Sequence, residues 1–403
     1  MGDIRPISFR SGSGETNVVF ATLAASAAVD DDINDSLIHP IGGAQYSLAP
    51  SVEIQETQSH LVWNLSYRPL LRFFVPQIRQ PDLFSQAFDG NLQYNFTKRL
   101  SLGLRQDFLR TTDPFQQLGE AGTGLLTQPG DVVLGNFRRT QLLSQIELNY
   151  RSSKHTTVGI DGTFLKNDYH QAFGIANSLI DSRDILGTAF VSRQFTPRQS
   201  FGVQYQYMDI VFPGRNSHST TNGILFFDQI AISPHTSFLV FAGPEYSMIH
   251  NNVYLNFLGV LIPIPESSIL WSPGVGALLD WRGHRFSIQG SFVERVSDGS
   301  GLMGAVQMKD GMMRITGKLA RRWVAYANGE VTDRSLLNVS GIGKLEALDL
   351  GAGVGHELSH KFLIRALYQS KHNIGGYSNT LQVGNHNRFT LSVERDFTMP
   401  LGR

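Results

Sequence analysis

Apolar and polar side chains alternate along most of this chain with a period of two. From Phe88 to Phe96, the residues Phe88, Gly90, Leu92, Tyr94 and Phe96 share one face, and Asp89, Asn91, Gln93 and Asn95 share the other. Successive side chains of a strand point to opposite sides, so this spacing predicts a strand with one apolar and one polar face. Beyond Thr97-Lys98-Arg99, Leu100, Leu102, Leu104 and Phe108 alternate with Ser101, Gly103, Arg105 and Asp107. Two such segments across so short a connection predict a hairpin. The pattern returns at Ile146-Leu148-Tyr150, Val158-Ile160-Phe164, Phe201-Val203-Tyr205-Tyr207, Trp271-Val275-Ala277-Leu279-Trp281, Leu348-Leu350-Ala352-Val354 and Phe389-Leu391-Val393-Phe397.

The connections alternate in length. Short turns are expected near residues 56–59, 97–99, 151–155, 195–199, 232–235, 282–284, 320–322 and 359–360. Long ones are expected near 29–44, 72–84, 111–138, 168–183, 212–220, 248–268, 297–303, 333–345 and 372–386. A soluble sandwich has no reason to gather its long loops at one end, whereas a membrane barrel has short periplasmic turns and long extracellular loops. The predicted fold is all-β, a transmembrane antiparallel up-and-down β-barrel of about 18 strands, with 16 as the alternative. The first strand, Asn17 to Ala28, is rich in Ala and alternates poorly; it enters the count because single-chain bacterial barrels have even strand numbers. The expected organisation is a flexible leader over 1–16, one barrel domain over 17–397 and a tail over 398–403.

Composition agrees with a barrel. Charged residues make up 17% and hydrophobic residues 41%, against about 25% charged in ordinary soluble chains. There is no apolar run of about 18 residues, as a membrane helix requires. Low charge without such a run fits strands that show lipid only their alternate residues. Tyr67, Tyr94, Phe96, Tyr150, Phe195, Trp281 and Phe397 are read as lying beside the short turns, at the headgroup level that Tyr and Trp favour. The short turns also collect Lys98, Arg99, Arg151, Lys154, Arg198, Arg282, Arg285, Arg321, Arg322 and Lys361 against Glu56, and the histidines 60, 155, 235, 284 and 360. Solvated turn residues are the plainer account; a rim for anionic headgroups or a periplasmic partner is the other. Met1 to Thr16 has no basic start, apolar stretch or small-residue cleavage site. The expectation is a chain that begins after processing, or at a mis-assigned or engineered start.

These segments, NLQYNF–TKR–LSLGLRQDF and the closing RFTLSVERDF among them, resemble the porin-like outer-membrane β-barrels of bacteria over roughly residues 17–397. More narrowly the chain is similar to β-barrel porins of which some are encoded with exopolysaccharide export genes. The resemblance is architectural and implies an outer-membrane channel that is not an enzyme. It also implies contact with outer-membrane lipids and, during biogenesis, with the barrel assembly machinery, which reads a closing aromatic residue. Phe397 matches that cue, although Thr398 to Arg403 follow it. A homo-oligomer or a periplasmic partner is open.

There are no cysteines, which removes disulfides and thiolate chemistry together. The formal net charge is zero, which gives no argument for nucleic acid. Gly351-Ala352-Gly353-Val354-Gly355 lies in an alternating segment with no helix after it, so a phosphate loop fails on context. His218 between Ser217 and Ser219 is the one adjacent Ser–His arrangement, and it falls in an expected loop. Asp30, Asp31, Asp32, Asn34 and Asp35 supply oxygen ligands but not the spacing of a calcium loop; a solvated acidic loop is expected. No catalytic residue, metal or cofactor is expected.

Alternation turns Arg68, Asp89, Arg105, Asp107, Glu147, Asp161, Glu245, Asp280, Arg314, Lys318, Asp349 and Arg365 towards the lumen, with many amides between them. A mixed set of charges argues against strong ion selectivity. Arg68, Arg105 and Asp107 are expected to be neighbours, either setting a field across a constriction or pairing to brace the wall. The 111–138 segment, with Pro114, Gly119, Gly122, Gly124, Pro129 and Gly130, is a candidate to fold inward. Three functions fit: passive diffusion of small polar solutes, a conduit for an exported polysaccharide, and a structural barrel within an envelope assembly.

Overall fold

The alternating segments form 18 strands in a computed structural model of the chain. The structure describes residues 17–33, 41–76, 83–113, 115, 137–171, 180–214, 217–257, 260–298, 305–337, 344–359, 361–373 and 385–400. The strands are β1 (Val18–Asp30), β2 (Gly43–Thr57), β3 (Leu61–Val75), β4 (Phe84–Asn95), β5 (Leu100–Thr111), β6 (Phe137–Arg151), β7 (Thr156–Gln171), β8 (Ser182–Thr196) and β9 (Gln199–Phe212). The second half holds β10 (Ser217–Ser233), β11 (Thr236–Phe257), β12 (Val260–Arg282), β13 (Phe286–Ser297), β14 (Val306–Ala320), β15 (Trp323–Leu336), β16 (Lys344–Ser359), β17 (Phe362–Asn373) and β18 (His386–Pro400). Each pairs antiparallel with its chain neighbours, and β1 also pairs with β18, which closes the sheet into a barrel. No helix occurs among the described residues.

The Ala-rich β1 is the closing strand. Ala21 lies opposite Val52 on β2 and Phe397 on β18. Two full ladders satisfy its backbone, so its small side chains need not supply the packing that ordinarily fixes a strand. The β1–β18 ladder continues to Val18 opposite Pro400. Thr398, Met399 and Pro400 are therefore strand residues, where a tail from residue 398 was expected.

All eight short turns fall where expected, but two long connections do not: the one expected near 212–220 is confined to 213–216, so Ser217, His218 and Ser219 lie in β10 rather than in a loop, and a second is replaced by strand. Residues 248–268 are mostly the continuation of β11 and β12, whose ladder runs on to Phe257 opposite Val260. The prolines that suggested a loop are harmless to this ladder. The Arg282 N–H donates to the His235 carbonyl on the β11 side, so even-numbered residues of β12 bond to β11. Pro263 and Pro265 are odd-numbered and lie on the opposite edge. Tyr67 also departs from expectation: it sits mid-strand opposite Phe88, away from any turn.

One surface of the barrel is an apolar belt. Ile146, Ile160, Ile185, Phe226, Val331 and Leu391 are all exposed large apolar side chains at alternate strand positions. On β12 the outward Trp271 and Trp281 mark the two ends of this belt. Their spacing matches the roughly 9–11 residues a tilted strand needs to cross a bilayer core. The barrel is thus a membrane-spanning one.

On the inner surface several aromatic rings lie over a directly opposite glycine, as Phe190 does over Gly159, Phe227 over Gly202 and Phe241 over Gly276. A Cβ added at Gly159 would clash with the Phe190 ring and the Asn149 side-chain oxygen. Gly159→Val is expected to destabilise the barrel by about 1–3 kcal/mol through overpacking. Urea unfolding in lipid vesicles checks this, with Gly159→Val/Phe190→Ala closing the cycle; strictly additive losses would show that ring and glycine are not coupled.

Candidate functional site

All twelve residues assigned to the lumen occupy strand positions that alternate with the exposed apolar belt, and so face the interior. The structure joins several of them. Arg68 on β3 pairs with Asp89 on β4. Arg105 pairs with Asp107 at 2.5 Å on β5, and Asp89 stands directly opposite Asp107. Glu147 stands opposite Asp161, whose carboxylate accepts from the Gln145 amide at 2.7 Å. Asp280 pairs with Arg282 at 2.8 Å, Asp349 with Lys371 at 3.1 Å and Arg365 with Glu394 at 3.0 Å. Arg314 lies opposite Gln289, and Lys318 opposite Val324 near a short turn. Opposite charges are thus matched at several points of the wall, and both Arg68 and Arg105 have a carboxylate partner on it, while Glu147 and Asp161 stand together as an acidic pair bonded by the Asn149 and Gln145 amides.

The geometry that narrows the lumen comes from residues outside that set. Just past β5, Asp113 accepts a hydrogen bond from Arg388 Nη1 at 2.9 Å and lies 3.7 Å from Arg72 Nη1. Arg72 also donates to the Thr112 hydroxyl. Phe115 stacks edge-on against His386 at 5.0 Å, with the Arg388 guanidinium 4.5 Å from its ring centre. Arg388 is on β18, and β1 to β4 stand between β18 and β5. Residues 112–115 therefore turn inward and cross part of the lumen to reach β18. Residues 114 and 116–136 of the segment expected to fold inward lie outside the described residues.

Arg388 is a double clamp. Its Nε donates to Asp30 at 2.8 Å while its Nη1 holds Asp113. All three side chains are buried, so the charges are strongly coupled, and removing one partner of such a group typically costs about 3–5 kcal/mol. The acidic stretch from Asp30 was expected to be solvated; Asp30 and Asp32 are instead buried, Asp31 is exposed and accepts from Asn387, and Asn34 and Asp35 lie outside the described residues. Asp30, Asp31 and His386 bring ligand atoms within 4.8 Å of one another, yet Arg388 already neutralises Asp30. Burial pushes the Asp113 carboxyl up, but the Arg388 and Arg72 charges outweigh it and hold it well below the usual carboxylate range. A depressed folded-state value gives stability that is present above the unfolded value, near 3.9, and is lost only as pH falls through the lower folded one. The bond from Arg388 to Asp113 is therefore expected to persist from neutral pH to about pH 4; maleimide labelling of Thr112→Cys that rises between those limits would contradict this tether.

A second crossing faces the first. Asp298, just past β13, accepts from the Asn167 amide on β7 at 2.9 Å and from the Ser182 hydroxyl on β8 at 2.7 Å. The strands β9 to β12 stand between β8 and β13, so this contact also runs across the interior. Arg295 lies among Glu245, Asp310, Asp184 and Asp298. Glu245 in turn accepts from the Gln206 amide at 2.6 Å and from the Val296 N–H at 3.2 Å. Below this group the inner wall is apolar: Leu225, Phe227, Phe241 and Val293 are buried together, with Phe190 and Leu239 against them.

Sequence reasoning offered the 111–138 segment as one that folds inward, but it named no anchor of that crossing and did not foresee the second, because alternation assigns a side chain to a face, not to a partner across the lumen. The apolar inner patch did leave a signal. Leu225-Phe226-Phe227 and Phe238-Leu239-Val240-Phe241 are continuous apolar runs, the mark of strands covered on both sides.

No family model matches the chain, and no curated protein matches it. Among solved structures it is similar to OpdL of Pseudomonas aeruginosa, at 10% identity over 95% of this chain and 99% of that one, with a TM-score of 0.42. OpdQ of the same organism matches at 10% identity over 97% and 100% of the two chains, with a TM-score of 0.44. OccAB4 of Acinetobacter baumannii matches at 11% identity over 96% and 99%, with a TM-score of 0.45.

Proposed function

We propose that the chain is an outer-membrane channel for passive diffusion of small polar solutes, with its short turns on the periplasmic side. The observation that carries this reading is the pair of inward crossings at Asp113 and Asp298 in a closed barrel with a largely polar inner wall. Barrels of about this strand number enclose an aqueous channel, and the crossings narrow it without adding a charge ring of one sign. Matched pairs such as Arg365 with Glu394 leave little field to separate anions from cations. The same narrowing weighs against a polymer conduit, which needs a wide, unobstructed bore.

Swelling of proteoliposomes in sugars of graded size tests the proposal. The expected result is entry of small sugars with a sharp size cutoff. Absence of flux at every size would favour a structural barrel instead.

A further inference from the structure

We propose that Arg395 heads a lipid-binding site on the outer surface of the barrel, which holds the phosphate of an anionic phospholipid in the leaflet that meets the short turns. In the orientation proposed above that leaflet is the periplasmic one. The site does not depend on what the lumen carries.

Parity places Arg395 on the lipid-facing side of β18, with the exposed Leu391, Val393, Phe397 and Met399. It stands directly opposite Leu23 on β1 and Phe362 on β17, which are exposed as well. No Asp or Glu occupies a lipid-facing position of β1, β17 or β18 among the described residues, and Arg395 is the one Arg or Lys there. Its acidic chain neighbours point the other way. Glu394 pairs with Arg365 at 3.0 Å, and Asp396 accepts from the Thr22 hydroxyl at 2.7 Å. A cation at the edge of an apolar belt is costly unless an anion meets it, and these three strands supply none on this side.

The guanidinium is held in place by rings. It lies 4.9 Å from the centre of the Phe397 ring and 5.2 Å from that of Phe362. Ring faces attract the cation electrostatically. They make no hydrogen bonds to its fork of N–H donors, which matches a phosphate bidentately. Phe362 is the first residue of β17 after its short turn, so Arg395 is level with that turn, at headgroup depth. The exposed Lys361 brings a second cation to this point, since its carbonyl accepts from the Asp396 N–H at 2.9 Å.

The occupant follows from these surroundings. It approaches from the membrane, offers a compact anion, and lays an apolar part against Leu23 and Val393, which are 45% and 43% exposed. A phospholipid with a net negative headgroup meets all three conditions. A zwitterionic headgroup would bring its own cation beside Arg395 and Lys361. Arg193 gives a comparison at the same end of the barrel. It also faces lipid, 5.9 Å from the Phe195 ring. There, however, a carboxylate shares its side: Phe201 stands opposite Arg193 on one flank and Asp228 on the other.

Native mass spectrometry of the purified barrel in detergent, with phosphatidylglycerol or phosphatidylcholine added, tests the site. The expected result is retention of phosphatidylglycerol that falls several-fold in Arg395→Gln and changes little in Arg193→Gln, with weak retention of phosphatidylcholine throughout. Phe362→Leu/Phe397→Leu keeps the charge and removes both rings. It is expected to lose phosphatidylglycerol as well, and serves if Arg395→Gln fails to fold. Retention of phosphatidylglycerol that is equal in Arg395→Gln and the unsubstituted chain would overturn the proposal. So would equal losses in Arg395→Gln and Arg193→Gln, which would mean general attraction to the basic rim, or phosphatidylcholine held as firmly as phosphatidylglycerol.

Discussion

Replacing Arg388 by Glu is expected to raise single-channel conductance several-fold while the barrel still folds. Arg388 joins Asp30 on the wall to Asp113 on the segment that crosses the lumen, at 2.8 and 2.9 Å. The substitution places a third carboxylate beside two buried ones. Relief comes by Asp113 moving away, because it lies past the end of β5 while Asp30 is held in two ladders through β1. Arg72 alone, 3.7 Å from Asp113, does not suffice against repulsion of that size, since unpairing a buried charge costs about 3–5 kcal/mol. Phe115 loses its guanidinium partner in the same step. Arg388→Met, which removes the clamp without adding repulsion, is expected to widen the channel less. Conductance equal to that of the unsubstituted chain in both variants would mean that the first crossing does not limit the bore.

The second large effect concerns two adjacent residues on β7. Ile160 is exposed in the apolar belt, opposite Leu148, and Asp161 faces inward, opposite Glu147. Ile160→Arg is expected to destabilise the folded barrel in lipid vesicles by about 2–4 kcal/mol, the cost of a cation at mid-depth on a lipid face. Asp161→Arg is expected to be close to neutral or stabilising, because it meets Glu147 in a polar, hydrated wall. Unfolding by guanidinium checks both. Equal costs at the two positions would contradict the assignment of faces.

Much of this architecture was legible in the sequence, because a barrel wall is a local object. Alternation assigns each side chain to a face, and a strand such as Phe84–Asn95 needs no distant information to show it. The alternation of short and long connections then gives the up-and-down order. The poorest strand by pattern, β1, could be placed only by the requirement of an even count, and the structure gives the physical reason: its backbone ladders to β2 and β18 hold it. The length of β11 and β12 was hidden because proline reads as a breaker, while the edge on which Pro263 and Pro265 fall is decided only by register.

The interior was less legible. Individual inward residues such as Arg105 and Arg365 followed from parity, but Asp113 and Asp298 lie just beyond strand ends, where period two no longer applies. Their partners, Arg388 and Asn167, stand on strands far away around the barrel. A contact across the lumen leaves no periodic trace in either segment.

The central claim is a membrane barrel whose inner face lines an open, hydrated lumen. A cysteine scan of the cysteine-free chain over β5 to β7, reconstituted in vesicles and treated with a membrane-impermeant maleimide, tests it most directly. The account predicts a period-two pattern: labelling at positions 105, 147 and 161, and protection at 104, 148 and 160. Protection on both faces would mean a filled interior, and labelling on both would mean that no lipid-facing wall exists; either result would contradict the account.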